Sequence, residues 1–343
     1  MTELTSRAIR DSFTNYIQTI HGMVAFLITV SNRPSADSTL SFSLGRRMTT
    51  SPTNRVTPSG PATPDQVIQV GDRLGYVVEA TRSLGASSEN WTDEIDQLRK
   101  YDDDLVGWWT PNGRLGKSNV VLLLWTEFAK KFARLMDERL KDAGDCFSRP
   151  TSVMSFSELS RNSDAIFLVK EWGDLDDDAT VRTELADGHS VTLRSILASR
   201  FGRYRFYADR PITEYVMVVL WQDIFTQRAV ETEYDESLKA YAFEADVGEL
   251  ASSLQKLFGS EGNEEREREY PQRSWVREAM DAFVTLGLAG QLGTDRYLVR
   301  FRELRKHQRD IAEYFAQHRG SVKEEEGAST QLGLFDVDEA PTD

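Results

Sequence analysis

Apolar residues recur at three- and four-residue steps over residues 5–27, where Ile9, Phe13, Ile17, Ile20 and Val24 stack on one face and predict a helix. Leu40, Phe42 and Leu44 then alternate with serines, as in a half-buried strand. Four prolines among Thr, Ser and Gly make Met48–Pro64 a predicted loop. Gln66–Val70 and Leu74–Thr81 read as strands joined at Gly71-Asp72, hence a hairpin. A helix is predicted from Trp91 to Leu105, with Ile95 and Leu98 turned inward. Asn119–Trp125 is almost continuously apolar, which suits a strand covered on both faces. Thr126 is placed to cap a following helix striped by Phe128, Phe132 and Leu135, and Ala165–Val169 reads as a further strand. The order helix, three strands, helix, strand, helix, strand predicts an α/β sandwich over about the first 175 residues.

Beyond it, Val216, Leu220 and Ile224 form one helical stripe, and Val247, Leu250, Leu254 and Leu257 another. Residues 261–269 form a charged linker, and 272–318 read helix, hairpin, helix. The expected division is therefore a first domain at 1–175, a mixed or helical connecting domain at 176–260, a module at 261–320 and a disordered tail at 321–343.

The chain has 343 residues, 40% of them apolar, enough to build cores. Its longest apolar-rich stretch, Met23–Val30, is far short of the roughly 20 residues a membrane crossing needs. No signal peptide is visible, and a single cysteine, Cys146, excludes an internal disulfide framework. A cytoplasmic protein is expected. Forty-one basic against 55 acidic residues give −14, which argues against a general nucleic-acid coat. The charge is uneven, however: residues 271–320 hold 9 basic and 6 acidic groups, while 321–343 hold 1 and 7. A basic module precedes an acidic tail.

The candidate chemistry lies in the hairpin. A returning strand brings Glu79 alongside Asp65, and two carboxylates at close range repel unless a cation lies between them. Oxygen-only ligation favours Mg²⁺ or Mn²⁺, which can activate water against a phosphodiester. Pro64-Asp65, thirteen intervening residues and Glu79-Ala80-Thr81 resemble the signature of the PD-(D/E)XK nuclease superfamily: Pro-Asp, a spacer, then Asp or Glu, any residue, Lys. Gln97-Leu98-Arg99-Lys100-Tyr101 resembles the Gln-x-x-x-Tyr motif of its RecB-like members, with Gln97 and Tyr101 one turn apart.

The resemblance implies a restriction-endonuclease-like αβββαβ core. It also implies a divalent metal held by Asp65, Glu79 and the Ala80 carbonyl, with Gln97 and Tyr101 positioning the substrate or its water. The family's lysine is replaced by Thr81, which carries no charge. Lys100 on the motif helix is the candidate to take over that role, while Arg82 should face the other side of the strand.

Residues 272–318 resemble a winged-helix domain, in which Arg296, Arg300, Arg302, Arg305 and Lys306, with Arg309 beyond, stand where phosphate contacts are useful. A second basic patch, Arg200, Arg203, Arg205 and Arg210, is interleaved with Phe201, Tyr204, Phe206 and Tyr207, as on a platform for single strands or on one face of a core. In the tail, Gln331-Leu332-Gly333-Leu334-Phe335 resembles the pentapeptide by which bacterial replication and repair proteins dock on the sliding clamp. There Leu332, Leu334 and Phe335 would enter an apolar groove and Gln331 would supply hydrogen bonds. The histidines are scattered and no glycine-rich phosphate loop exists. These features lead to the expectation of a Mg²⁺- or Mn²⁺-dependent, nucleoid-associated DNA nuclease recruited by the clamp. The alternative is a clamp-bound DNA adaptor with a decayed site.

Overall fold

In a computed structural model the described residues are 6–31, 40–44, 48–50, 61–62, 64–71, 74–82, 88–102, 105–106, 109–110, 113–114, 117–141, 147–159, 164–258, 270–302 and 308–321. The protein is mixed α/β and divides into two compact units, one of Asp11–Ile212 with Asp246–Val276, the other of Met1–Arg10, Thr213–Ala245 and Arg277–Asp343. These units are discontinuous in sequence.

In chain order the first unit contains most of α1 (Ser6–Ser31), then β1 (Leu40–Leu44), β2 (Met48–Thr50), β3 (Pro61–Ala62), β4 (Gln66–Val70), β5 (Leu74–Thr81) and α2 (Ser88–Asp102). Short β6 (Leu105–Val106), β7 (Trp109–Thr110) and β8 (Gly113–Arg114) precede β9 (Lys117–Trp125) and α3 (Thr126–Lys141). β10 (Thr151–Leu159), β11 (Ala165–Gly173), α4 (Ala179–Asp187), β12 (His189–Thr192) and α5 (Leu193–Ala198) follow.

Seven strands form one sheet in the order β1-β4-β5-β9-β10-β11-β12. β5, β9 and β10 run parallel at its centre, and the flanking pairs are antiparallel. The apolar run of β9 fits that central place: Val120–Leu124 are fully buried. Pairing of β12 with β11 carries the sheet past residue 175.

Two expectations change. Met48–Thr50 and Pro61–Ala62 are paired strands within the stretch expected as a loop. The strand after α3 that lies parallel to β9 is β10 rather than Ala165–Val169, which belongs to antiparallel β11. Serines at 152, 155 and 157 interrupt the apolar pattern of β10, although Ser152 and Ser155 are buried. Thr126 donates its hydroxyl to the Phe156 carbonyl at 3.1 Å, tying α3 to β10.

The two sheet faces are covered differently. Val67, Val77, Leu122 and Leu124 pack with Ile95, Leu98 and Tyr101 of α2 and Phe132 and Met136 of α3. On the other face Phe26 of α1 meets Tyr76 edge to face at 5.7 Å between centroids. Side chains alternate along a strand, so Glu79 shares the α2 face with Val77.

The second unit contains α6 (Thr213–Val219), a π-helical stretch (Leu220–Phe225), α7 (Thr226–Val230), β13 (Tyr234–Asp235) and β14 (Ala240–Asp246). After α8 (Val247–Phe258), which belongs mainly to the first unit, it resumes with most of α9 (Arg273–Thr285), then β15 (Ala289–Gln291), β16 (Arg296–Phe301) and α10 (Gln308–Ser321). Its four strands are ordered β13-β14-β16-β15. Trp221 lies at the centre of an aromatic core with Phe301, Phe283 and Phe315 at 4.9, 5.4 and 5.9 Å. Among the described residues no helix is long and apolar enough to cross a membrane.

Candidate active site

The hairpin positions the two carboxylates. Gln66 pairs with Val78 at the last rung between β4 and β5, so Asp65, one residue earlier, stands opposite Glu79. Opposed residues of an antiparallel pair point to the same face. Asp65 is only 2% exposed, and its Oδ2 accepts the Ala80 N–H at 2.9 Å, extending the ladder through a side chain. Glu79 is half-buried, and each of its oxygens has a donor: Gln97 Nε2 reaches Oε1 at 2.7 Å and the Tyr101 hydroxyl reaches Oε2 at 2.8 Å. Gln97 and Tyr101 are themselves 3.1 Å apart. Helical spacing puts both residues over Glu79, while intervening Lys100 faces solvent.

Two further acids, Glu94 and Asp209, join this group. Glu94 lies one turn before Gln97 on α2, and its Oε1 is buried with no hydrogen-bond partner among the described residues. Asp209 accepts a bond from the Tyr207 hydroxyl at 3.3 Å, and its carboxyl is turned inward although much of the residue is exposed. Tyr207 is buried, stacks on Tyr16 at 4.6 Å, and donates its N–H to the Tyr16 hydroxyl at 3.1 Å.

The electrostatics are those of crowded anions. Burial, then Asp209, holds the Asp65 carboxyl well above the usual carboxylate range, against the opposing pull of the Ala80 N–H. Burial, then Asp65 and Glu94, does the same to Glu79. Glu94 is pushed up to about 7 by burial and by Asp209. The Tyr101 hydroxyl is raised by burial and by Glu79, so it remains a proton donor. Asp209 is raised by burial.

Neither alternative cation is placed beside this group. Arg82 lies over the Trp125 ring at 3.9 Å, and the charges that face it are Glu158, Glu127 and Asp11. It is on the opposite side of the strand from Glu79. Thr81 shares the Glu79 face by alternation. Asp102 is occupied elsewhere, accepting the N–H groups of Ser148 and Arg149 at 2.7 Å each. Asp72, Asp103, Asp104 and Trp108 lie outside the described residues.

The donor set is all oxygen, crowded and negatively charged, which fits a hard divalent cation. Among the described residues no three His, Cys, Asp or Glu side chains form a ready-made cage. An ion here would rest on the Asp65 and Glu79 carboxylates and draw its other ligands from backbone, water or substrate. N–H and C=O of one residue in an extended strand point to the same edge, so the Ala80 carbonyl faces the edge from which its N–H reaches Asp65.

The basic candidates separate into two kinds. In the second unit Arg296 pairs with Glu244, Arg302 donates to the Leu238 carbonyl at 3.0 Å, and Arg300 and Arg309 are exposed. Arg305, Lys306 and the pentapeptide Gln331, Leu332, Leu334 and Phe335 lie outside the described residues. In the first unit Phe201, Tyr204, Phe206 and Tyr207 are all buried, so they build core and offer no stacking platform. Their arginine neighbours Arg200, Arg203 and Arg210 are exposed.

No protein-family model, no curated protein and no solved structure matches the chain. The site therefore has to be read from its own geometry.

Sequence reasoning reached Asp65, Glu79, Gln97 and Tyr101 but missed Glu94, Asp209 and Tyr207. Glu94 had a signal, since it stands three residues before Gln97 on the same helix face. Asp209 and Tyr207 are 130 and 128 residues along the chain from Glu79, and the arginine–aromatic pattern around Tyr207 points to a surface or a core rather than to this site.

Proposed function

We propose that this protein is a divalent-metal-dependent DNA nuclease of the PD-(D/E)XK kind. The observation that carries the reading is the pairing of Asp65 with Glu79 at the open end of the β4–β5 hairpin, where Glu79 is held by the Gln97 and Tyr101 of the helical motif. The fold is compatible, because α1, three antiparallel strands, α2, β9, α3 and β10 succeed one another in the order that a restriction-endonuclease-like core requires.

Asp65, Glu79 and the Ala80 carbonyl would hold Mg²⁺ or Mn²⁺. When bound, such an ion lowers the pKa of water and neutralises charge building on phosphorus. Water oxygen then bonds to phosphorus, the bridging P–O bond breaks, and the departing oxygen takes up a proton. In this chain Gln97 and Tyr101 fix the Glu79 carboxylate so that it does not have to reorganise during that step. Glu94, with a carboxyl near neutrality, can give or take a proton at working pH.

The test is incubation of the full chain with plasmid and linear DNA in Mn²⁺, beside Glu79→Ala. Cleavage by the native protein and its loss in the variant are expected; equal cleavage by both, or by neither, refutes the reading.

One observation favours a second reading. No lysine or arginine stands beside the carboxylate pair among the described residues, since Lys100 faces solvent and Arg82 the opposite face. Under that reading the same fold acts as a DNA-bound adaptor with a decayed centre. In both readings the tail tethers the protein to a sliding clamp through Gln331, Leu332, Leu334 and Phe335. Changing Leu334 and Phe335 to Ala is expected to abolish clamp binding in a pull-down, and unchanged affinity rejects the tether.

A further inference from the structure

The stretch 193–210 carries five arginines and one aspartate in a chain whose net charge is −14. Its backbone is fixed. The Ser199 N–H bonds the Ser195 and Ile196 carbonyls at 3.0 and 3.2 Å, the Gly202 N–H bonds Ser199 at 3.0 Å, and the Tyr204 N–H bonds Phe201 at 3.1 Å. A Cβ on Gly202 would come within 2.4 Å of the Ile196 carbonyl, so only glycine fits this turn.

Arg205 is structural: it donates to the Gly202 and Tyr204 carbonyls at 2.8 and 3.2 Å and lies over Phe258 at 5.6 Å. Arg200, Arg203 and Arg210 are exposed. The first two lie over Phe201 and Tyr204 at 4.8 and 6.0 Å, rings that are themselves buried. Thus two guanidinium groups are held at the surface by a rigid aromatic base, which lowers the entropy lost when they bind an anion. The far end of the same segment enters the carboxylate group, where Tyr207 bonds Asp209 and Asp209 faces Asp65. Arg210 is its immediate neighbour in the chain.

We infer that residues 200–210 form the strap on which a DNA backbone lies as it enters the Asp65–Glu79 site, with Arg200, Arg203 and Arg210 contacting phosphates. This rests on the nuclease reading for its substrate. It places the main phosphate-binding surface in the first unit rather than on the expected wing. Contacts to phosphate carry no sequence information, so this binding is independent of sequence and strongly salt-dependent.

The test is fluorescence anisotropy of a labelled 20-base-pair DNA duplex with the full chain in EDTA, which prevents cleavage. Three variants are compared with the native protein: Arg200→Ala/Arg203→Ala/Arg210→Ala, the same three positions changed to Lys, and Arg300→Ala/Arg309→Ala in the wing. The triple Ala variant is expected to bind about 30-fold more weakly at low salt, with a log–log salt slope reduced by about 3. The triple Lys variant keeps most of the affinity and the wing variant changes little. Matched thermal melts of native and triple variants exclude unfolding.

Unchanged affinity in the triple Ala variant, loss confined to the wing variant, or tighter binding to RNA or polyglutamate than to DNA overturns the proposal. Cleavage assays separate its failure from that of the nuclease reading. Loss of binding in the triple variant with no cleavage by any protein sinks the enzyme and keeps the strap. Cleavage by the native protein with binding untouched in the triple variant does the reverse.

Discussion

Replacing Glu94 by Gln should stabilise the protein, and only above mildly acidic pH. Glu94 has a buried oxygen without a partner and a carboxyl raised from 4.5 to about 7 by burial and by Asp209. Because the folded value lies above the unfolded one, its favourable contribution is fully present below about pH 4.5 and disappears as pH rises through about 7. At about 1.36 kcal/mol for each pH unit between the two values, the native protein bears a penalty of roughly 3 kcal/mol at pH 8 that the amide does not. Gln has nearly the same shape, and no hydrogen bond to that oxygen is lost.

Urea unfolding of native protein and Glu94→Gln at pH 5, 6.5 and 8 should therefore show midpoints that nearly coincide in acid and separate by the equivalent of about 3 kcal/mol in base. Mn²⁺ at pH 8 should narrow the gap by stabilising the native protein more than the variant. Midpoints separated equally at all three pH values, or separated more in acid, would refute the account of this cluster as mutually repelling anions.

Two other perturbations test the centre and the frame. Thr81→Lys puts a cation on the Glu79 face, so Mn²⁺-dependent cleavage measured on plasmid should rise about tenfold, equivalent to roughly 1.4 kcal/mol of barrier; an unchanged or lower rate counts against the assigned lysine position. Gly173→Ala should destabilise by about 3 kcal/mol or more, because Gly173 has φ +79° and an added Cβ would lie 2.0 Å from the Thr151 carbonyl oxygen. A melting temperature within a degree of native would contradict that crowding.

How far the sequence reveals the structure depends on the range over which each signal acts. The hairpin was legible because both strands and their turn lie within sixteen residues and Gly71 takes the positive φ, 60°, that its position invites. β9 was legible because a central parallel strand is apolar throughout. β10 was not, since buried serines can be satisfied by tertiary partners that no local pattern reveals: Ser155 donates to Glu171 at 2.8 Å. Nothing local in the aspartate cluster at 174–178 reveals that Asp177 accepts the Tyr76 hydroxyl or that the Asp176 N–H bonds the Asn119 side chain at 2.7 Å. The gathering of 213–245 with 277–321 follows from Trp221, whose ring meets Phe283, Phe301 and Phe315, each more than 60 residues away in sequence.

Strand parity bears most directly on the missing lysine. Odd positions of β5 look toward α2 and even positions toward α1, so Glu79 and Thr81 share one side while Ala80 and Arg82 share the other. A one-residue shift of charge from 81 to 82 therefore moves it through the sheet, where Arg82 lies over Trp125 among Glu158, Glu127 and Asp11 and is desolvated. Lys100 fails for the corresponding helical reason: it lies about 100° around α2 from Tyr101, on the solvent side. On the nuclease reading, the cation that assists hydrolysis would then be, among the described residues, the divalent ion itself or an arginine of the 200–210 segment. On that reading activity should depend more steeply on metal concentration than in a site with a fixed lysine, because the ion binds reversibly, and it should fall with ionic strength as phosphate contacts are screened.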